Sequence, residues 1–116
     1  MKVFHFREGG NLKIPIENIM ETKIFYTYIL SNKGHTVLYI GFTGNLKQRL
    51  KKHINPSSKG FTLKYNVTKL VWFETTQYVN NAIQREKQIK KWNREWKENL
   101  INDKNPGWND LSWMIE

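Results

Sequence analysis

Cysteine is absent from this chain of 116 residues, so neither a disulfide framework nor a thiolate metal site can be built. No apolar run approaches the roughly 18 residues of a membrane-spanning helix. The opening stretch "MKVFHFREGG" has no apolar segment suited to a signal peptide. These shortages set the expectation of a cytoplasmic protein. Acid is scarce as well. Nineteen Lys and Arg stand against ten Asp and Glu, a formal net charge of +9. A small domain with that excess suits a polyanionic partner, nucleic acid first among them.

What is present is enough for one folded domain with a modest core, at 39% hydrophobic and 25% charged residues. Residues 1–21 mix Gly, Pro and polar residues with weak periodicity and read as a loosely attached extension. The domain proper is 22–116. "KIFYTYILSN", 23–32, is rich in β-branched and aromatic residues and reads as a strand. "NKGH" is a turn signal, and "TVLYIGF", 36–42, reads as a second strand. Pairing Leu30 with Val37 puts Tyr28 opposite Tyr39, with both rings on one face. "NLKQRLKKH", 45–53, reads as a helix capped by Asn45, with Gln48 three residues on. "NVTKLVWFET", 66–75, is a third strand, apolar enough for a central position.

"NNAIQREKQIKKWNREWKENLI", 80–101, is the strongest helical segment, with Ile83, Ile89, Trp96 and Leu100 near one stripe. Asn93 is placed to interrupt it and cap a second helix. The tail holds Pro106 and Gly107 as breakers, then Trp108, Leu111 and Trp113 as packing anchors. The spacing of Trp92, Trp96, Trp108 and Trp113 assigns them mostly to the core. The order β-β-α-β-α-α describes a small α+β domain, a three-stranded antiparallel sheet flanked by helices.

Two features stand out chemically. Glu86 lies three residues after Ile83 and three before Ile89, on the stripe that faces the core. A carboxylate there costs free energy unless it is paired, hydrogen-bonded or bound to a metal. The plain alternative is an edge glutamate pairing with Lys90 at i+4. On 45–53, Arg49 and His53 share a face one turn apart, and the chain holds only three histidines. Taken singly, Tyr28, Tyr39, Arg49 and His53 are ordinary strand aromatics and helix surface residues. Their grouping draws attention.

"YTYIL" at 26–30, "LYIG" at 38–41, Arg49 and His53, followed by "FTLKYNVTKLVWFE" and "AIQREKQIKKW", resemble the GIY-YIG endonuclease superfamily. The likeness is to its small single-domain bacterial members, which are similar to the nuclease domain of the repair protein UvrC. Where the family name expects Gly-Ile-Tyr this chain has Tyr26-Thr27-Tyr28, keeping the last tyrosine. The resemblance implies a metal-dependent endonuclease that hydrolyses DNA phosphodiesters, with a place in repair or recombination. It implies Tyr28 and Tyr39 at the hydrolytic centre, Arg49 on the scissile phosphate, His53 in proton transfer and Glu86 on one divalent metal. The family's late asparagine matches either Asn105, which is favoured, or Asn109.

Those residue types suit the reaction. Hydrolysis needs a base, a nucleophilic water, neutralisation at phosphorus and help for the leaving oxygen. Cations near a tyrosine, here Arg49 and a metal, favour its phenolate. A guanidinium fits two phosphate oxygens. Oxygen ligation by one glutamate suits a single Mg²⁺ or Mn²⁺, and no further small-molecule cofactor is implied. Gly41 is expected to let the backbone pass close to substrate. Lys47, Lys51, Lys52, Lys59, Lys64, Arg85, Lys87, Lys90 and Lys91 are expected to track phosphates. The rival readings are a nucleic-acid-binding module without catalysis, or an accessory subunit of a repair complex that uses tryptophans as a protein contact.

Overall fold

The computed structural model describes residues 23–54 and 65–115. The extension expected at 1–21 lies outside them, as do Lys59 and Lys64. Three strands form one antiparallel sheet: β1 (Phe25–Ser31), β2 (Leu38–Thr43) and β3 (Lys69–Thr76). The helices are α1 (Leu46–Ile54), α2 (Val79–Lys91) and α3 (Arg94–Lys104), followed by a 3₁₀ turn at Ser112–Met114. This is the expected β-β-α-β-α-α order. Among the described residues no helix is long and apolar enough to cross a membrane.

The sheet order is β2-β1-β3, so β1 is central and β3 is an edge strand. This corrects the central position expected for 66–75. The apolar run of β3 is compatible with an edge because other segments cover that edge. The Leu111 N–H donates to the Leu70 carbonyl at 2.8 Å, and the Leu70 N–H donates to Asp110 Oδ1 at 3.3 Å. The ladder between β1 and β3 steps from Ile29↔Trp72 to Leu30↔Leu70, leaving Val71 as a bulged residue without a partner. Its carbonyl accepts from Asn105 Nδ2 at 2.9 Å. The tail thus closes an edge that would otherwise be open to pairing.

β1 is buried along its length except at Tyr26, because both of its faces are covered. On one face Ile29 packs with Ile40, Val71, Trp72, Ile89, Ile101 and Trp108, so α2 and α3 lie on that side. On the other, Tyr28 and Leu30 pack with Leu46, Val67 and Leu70, joined by Leu50, Leu111 and Ile115. α1 and the tail cover that side. Thr27 Oγ1 donates to the Ala82 carbonyl at 3.1 Å and ties α2 to the central strand.

The helix signals behave as their chemistry requires. Asn45 Oδ1 accepts from the Gln48 N–H at 3.1 Å at the start of α1. Asn93 Oδ1 accepts from the Trp96 N–H at 2.9 Å at the start of α3. Trp92 and Asn93 are both extended, so α3 starts in a new rotational frame. The stripe of α2 therefore does not continue into α3. Trp96, expected in the core, is 54% exposed and meets Trp92 edge-on, at a centroid distance of 6.0 Å. Trp113 is 79% exposed, which also corrects the core assignment, whereas Trp108 is buried.

The hairpin register differs by two residues from the one expected. Leu30 pairs with Tyr39 and Tyr28 with Gly41. The turn is longer than "NKGH" because the Asn32 side chain organises it: its Oδ1 accepts from the N–H groups of Thr36 and Val37 at 2.9 and 3.0 Å. Arg94 of α3 pins the same turn by donating to the carbonyls of Thr36 and His35. A two-residue shift keeps every side chain on its face, so the two tyrosines still meet, with ring centroids 6.3 Å apart. What changes is the residue across from Tyr28. A Cβ at position 41 would stand 2.6 Å from Tyr28 Oη and 2.7 Å from Cζ. Gly41 is buried, and its missing side chain is the space the Tyr28 ring fills. The expectation that it clears a path for substrate gives way to this packing role.

Because Tyr28 is fully buried and cannot swing aside, Gly41→Ala should cost about 1–3 kcal/mol of stability by overpacking. Denaturant melts measure this, and an unchanged midpoint would remove the Tyr28 ring from that space.

Candidate active site

The site is assembled from the sheet and two helices. β1 and β2 bring Tyr28 and Tyr39 together on the face covered by α1. α1 is held to that face by Leu46, 1% exposed, and its repeat turns Arg49 over the phenols. The Arg49 guanidinium hydrogen-bonds with Tyr39 and Tyr28. Partial burial works against its charge, but the two phenols outweigh this and raise its already high pKa. Arg49 is thus a fixed cation with an exposed flank above a buried phenol and a half-buried one. His53 follows one turn later on α1, but its side chain lies outside the described residues.

Tyr28 departs from the phenolate expected of it. Burial pushes its hydroxyl up from 10.0 to about 12, and the Arg49 charge offsets only part of that. The charges of Tyr39 and Glu86 push in the same direction as burial. Desolvation wins because the phenol is fully enclosed while the guanidinium reaches solvent. In the free protein Tyr28 is therefore neutral, a hydrogen-bonding group rather than a ready base.

The Glu86 charge is the smallest of the influences on the Tyr28 phenol. The Glu86 side chain is only 12% exposed, and its Oε2 lies 2.5 Å from Lys90 Nζ. The i+4 pair of the plain alternative is thus present, on a side chain that is nonetheless largely enclosed. As a single hard oxygen donor it suits Mg²⁺ or Mn²⁺ completed by phosphate oxygens and water, rather than an all-protein cage. No cluster of three His, Asp or Glu side chains that could hold a metal occurs among the described residues.

Asn105 is placed as a clasp. Its amide donates to the carbonyls of Val71 and Asn109 at 2.9 and 3.0 Å, and its Oδ1 accepts from the Asn109 N–H at 3.1 Å. Those bonds use both donors and the acceptor inside the fold. Arg85, expected on the nucleic-acid surface, is engaged internally. It hydrogen-bonds Gln88 Oε1 at 2.7 Å, stands 3.2 Å from the Glu74 carboxylate, and lies over Trp72 and Trp92 at 5.8 and 5.5 Å. Lys47, Lys51 and Lys52 on α1 are exposed, as are Lys87, Lys90 and Lys91 on α2. Arg94 and Asn32 hold the turn leading to Tyr39, a role that no motif in the sequence marks. No sequence spacing links Arg94 to His35, 59 positions away.

The buried phenol has a measurable consequence. Folding raises the Tyr28 pKa, so the fold favours the neutral form. That stabilisation is whole below pH 10 and is lost as pH rises through about 12. Stability should fall by about 2–3 kcal/mol across this window. Tyr28→Phe keeps the ring and removes the ionisation, so its alkaline slope should be shallower than that of the parent chain. Identical slopes in pH-dependent denaturant melts would contradict the burial.

Comparison with known proteins identifies the family. The family model of the GIY-YIG catalytic domain matches residues 24–99, from β1 into α3. A UPF0213 protein of Clostridium perfringens is 40% identical over 79 residues, covering 68% of this chain and 84% of its own length. A UPF0213 protein of Syntrophus aciditrophicus is 39% identical over 78 residues, covering 66% and 87%. The solution NMR structure of a UPF0213 protein from Bacillus halodurans aligns with 80% of this chain and 99% of its own, at 26% identity and a TM-score of 0.49. With Tyr28, Tyr39, Arg49 and Glu86 all inside the matched span, this chain belongs to the GIY-YIG superfamily as one of its small members.

Proposed function

We infer that this protein is a divalent-metal-dependent endonuclease acting on DNA, in repair or recombination. One observation carries the reading: Arg49, from α1, is hydrogen-bonded to tyrosines of two strands, and the Glu86 carboxylate of α2 acts electrostatically on the same phenol. A fold that needed only a core would have little use for a cation held by two phenols and for a secluded carboxylate on a helix stripe.

In this reading Arg49 binds the scissile phosphate through its exposed flank, its fork aimed by the two phenols. Tyr39, half-buried on the edge strand β2, presents its hydroxyl toward substrate. Tyr28, neutral and enclosed, holds the guanidinium and donates or accepts one hydrogen bond without changing charge. His53, one turn from Arg49, is the group proposed to move the proton. Glu86 would hold the Mg²⁺ or Mn²⁺ ion, which supplies charge neutralisation at phosphorus. The exposed lysines of α1 and α2 bind the flanking backbone. Asn105 keeps the edge of β3 closed and takes no part in chemistry.

Two variants separate catalysis from binding. Glu86→Ala should abolish Mg²⁺-dependent cleavage across a panel of duplex, flap, branched and single-stranded substrates while leaving the melting transition in place. Unimpaired cutting by this variant would take Glu86 out of the mechanism. Arg49→Ala removes one phosphate contact among many but the one at the reacting centre. It should lower turnover by about 10²-fold or more with only a small loss of affinity. Equal losses in both would mark Arg49 as a binding residue and favour a module without catalysis.

A further inference from the structure

We propose that Lys90 is a lock on the Glu86 carboxylate: its ammonium occupies the position a divalent ion needs, so the ion joins only when a nucleic-acid phosphate draws Lys90 away. The proposal rests on the nuclease reading above and adds an order of binding to it.

The asymmetry of the pair is the first observation. The Glu86 side chain is 12% exposed and that of Lys90 55%, with 2.5 Å between Oε2 and Nζ. A carboxylate so enclosed needs a compensating charge, and in the free chain Lys90 supplies it. The lysine can leave by rotating its flexible stem toward solvent, with no change in the backbone of α2. The glutamate has no comparable freedom.

The surrounding charge is the second. A dication reaching Glu86 in the free protein would have to displace the Lys90 ammonium from Oε2. The Glu74 carboxylate is engaged by Arg85 at 3.2 Å. Among the described residues no group of three acidic or histidine side chains stands ready to hold a metal. One carboxylate already paired with an ammonium is a poor site for Mg²⁺. A phosphodiester reverses the balance. Its oxygens supply ligands and negative charge to the ion, and its neighbouring phosphates offer Lys90 a new partner on a surface it shares with Lys87 and Lys91, both exposed.

Mn²⁺ binding to the full chain without nucleic acid, followed by electron paramagnetic resonance of the free ion, tests the lock. Lys90→Gln should bind Mn²⁺ about fivefold more tightly than the parent chain, the effect of releasing a partly exposed pair. Lys90→Arg, which keeps the charge, should match the parent. Glu86→Gln placed in the Lys90→Gln background should erase the gain. In ¹⁵N-lysine spectra, a DNA duplex alone should shift the Lys90 ammonium signal, whereas Mg²⁺ alone should not. Equal Mn²⁺ affinity in the parent and Lys90→Gln chains, each lost with Glu86→Gln, would overturn the lock while leaving Glu86 as the metal ligand. Mn²⁺ binding indifferent to Glu86 in every variant would overturn both the lock and the metal assignment of the nuclease reading.

Discussion

A tyrosine hydroxyl buried at the centre of the sheet is the constraint on which the site depends. Tyr28 can lie there only because Gly41, its partner across the ladder, has no side chain. Seated in that gap, the ring is fully buried. Arg49 is aimed by that hydroxyl and by Tyr39 together. A larger residue at 41 would move the phenol, and the guanidinium would lose the support that fixes its fork. The glycine therefore acts on the candidate chemistry at one remove, through packing rather than through substrate.

The same burial decides which group can titrate. Between a desolvated phenol and a nearby guanidinium, the shorter route to water belongs to the guanidinium, and desolvation prevails. The site thus contains a neutral tyrosine held beneath a permanent cation. Such a pair preorganises positive charge without itself changing protonation, which suits a phosphate ligand. Glu86 is a secluded anion whose charge is balanced by Lys90.

Much of the remaining structure keeps this grouping in place from a distance. The bulge at Val71 leaves a carbonyl without a strand partner, and Asn105 satisfies it. Asp110 and Leu111 then close the outer edge of β3. On the other side of the molecule Asn32 and Arg94 hold the turn that sets the register of β2, and that register brings Gly41 opposite Tyr28. Several polar residues outside the candidate site are accounted for by these two tasks.

Local chemistry was readable from the chain alone. The strands, the caps at Asn45 and Asn93, the shared face of the two tyrosines and the family likeness all follow from side-chain types and spacings of a few residues, because propensity, capping and alternation act over that range. The placement of Glu86 on the inner stripe of α2 is of the same kind. Other features were decided only by tertiary structure. Gly41 rather than Tyr39 faces Tyr28, because an asparagine side chain lengthens the turn. β3 lies at the edge yet reads as central, because a tail about 40 positions away covers it. Trp96 faces outward, because two extended residues reset the helical frame. Arg85 is held inward by tryptophans and a glutamate, and the Tyr28 phenol stays neutral. The first and third turn on backbone geometry in a turn and a helix junction, and the others on which distant groups cover an edge or exclude water from an atom; hydrophobic spacing along the chain records neither.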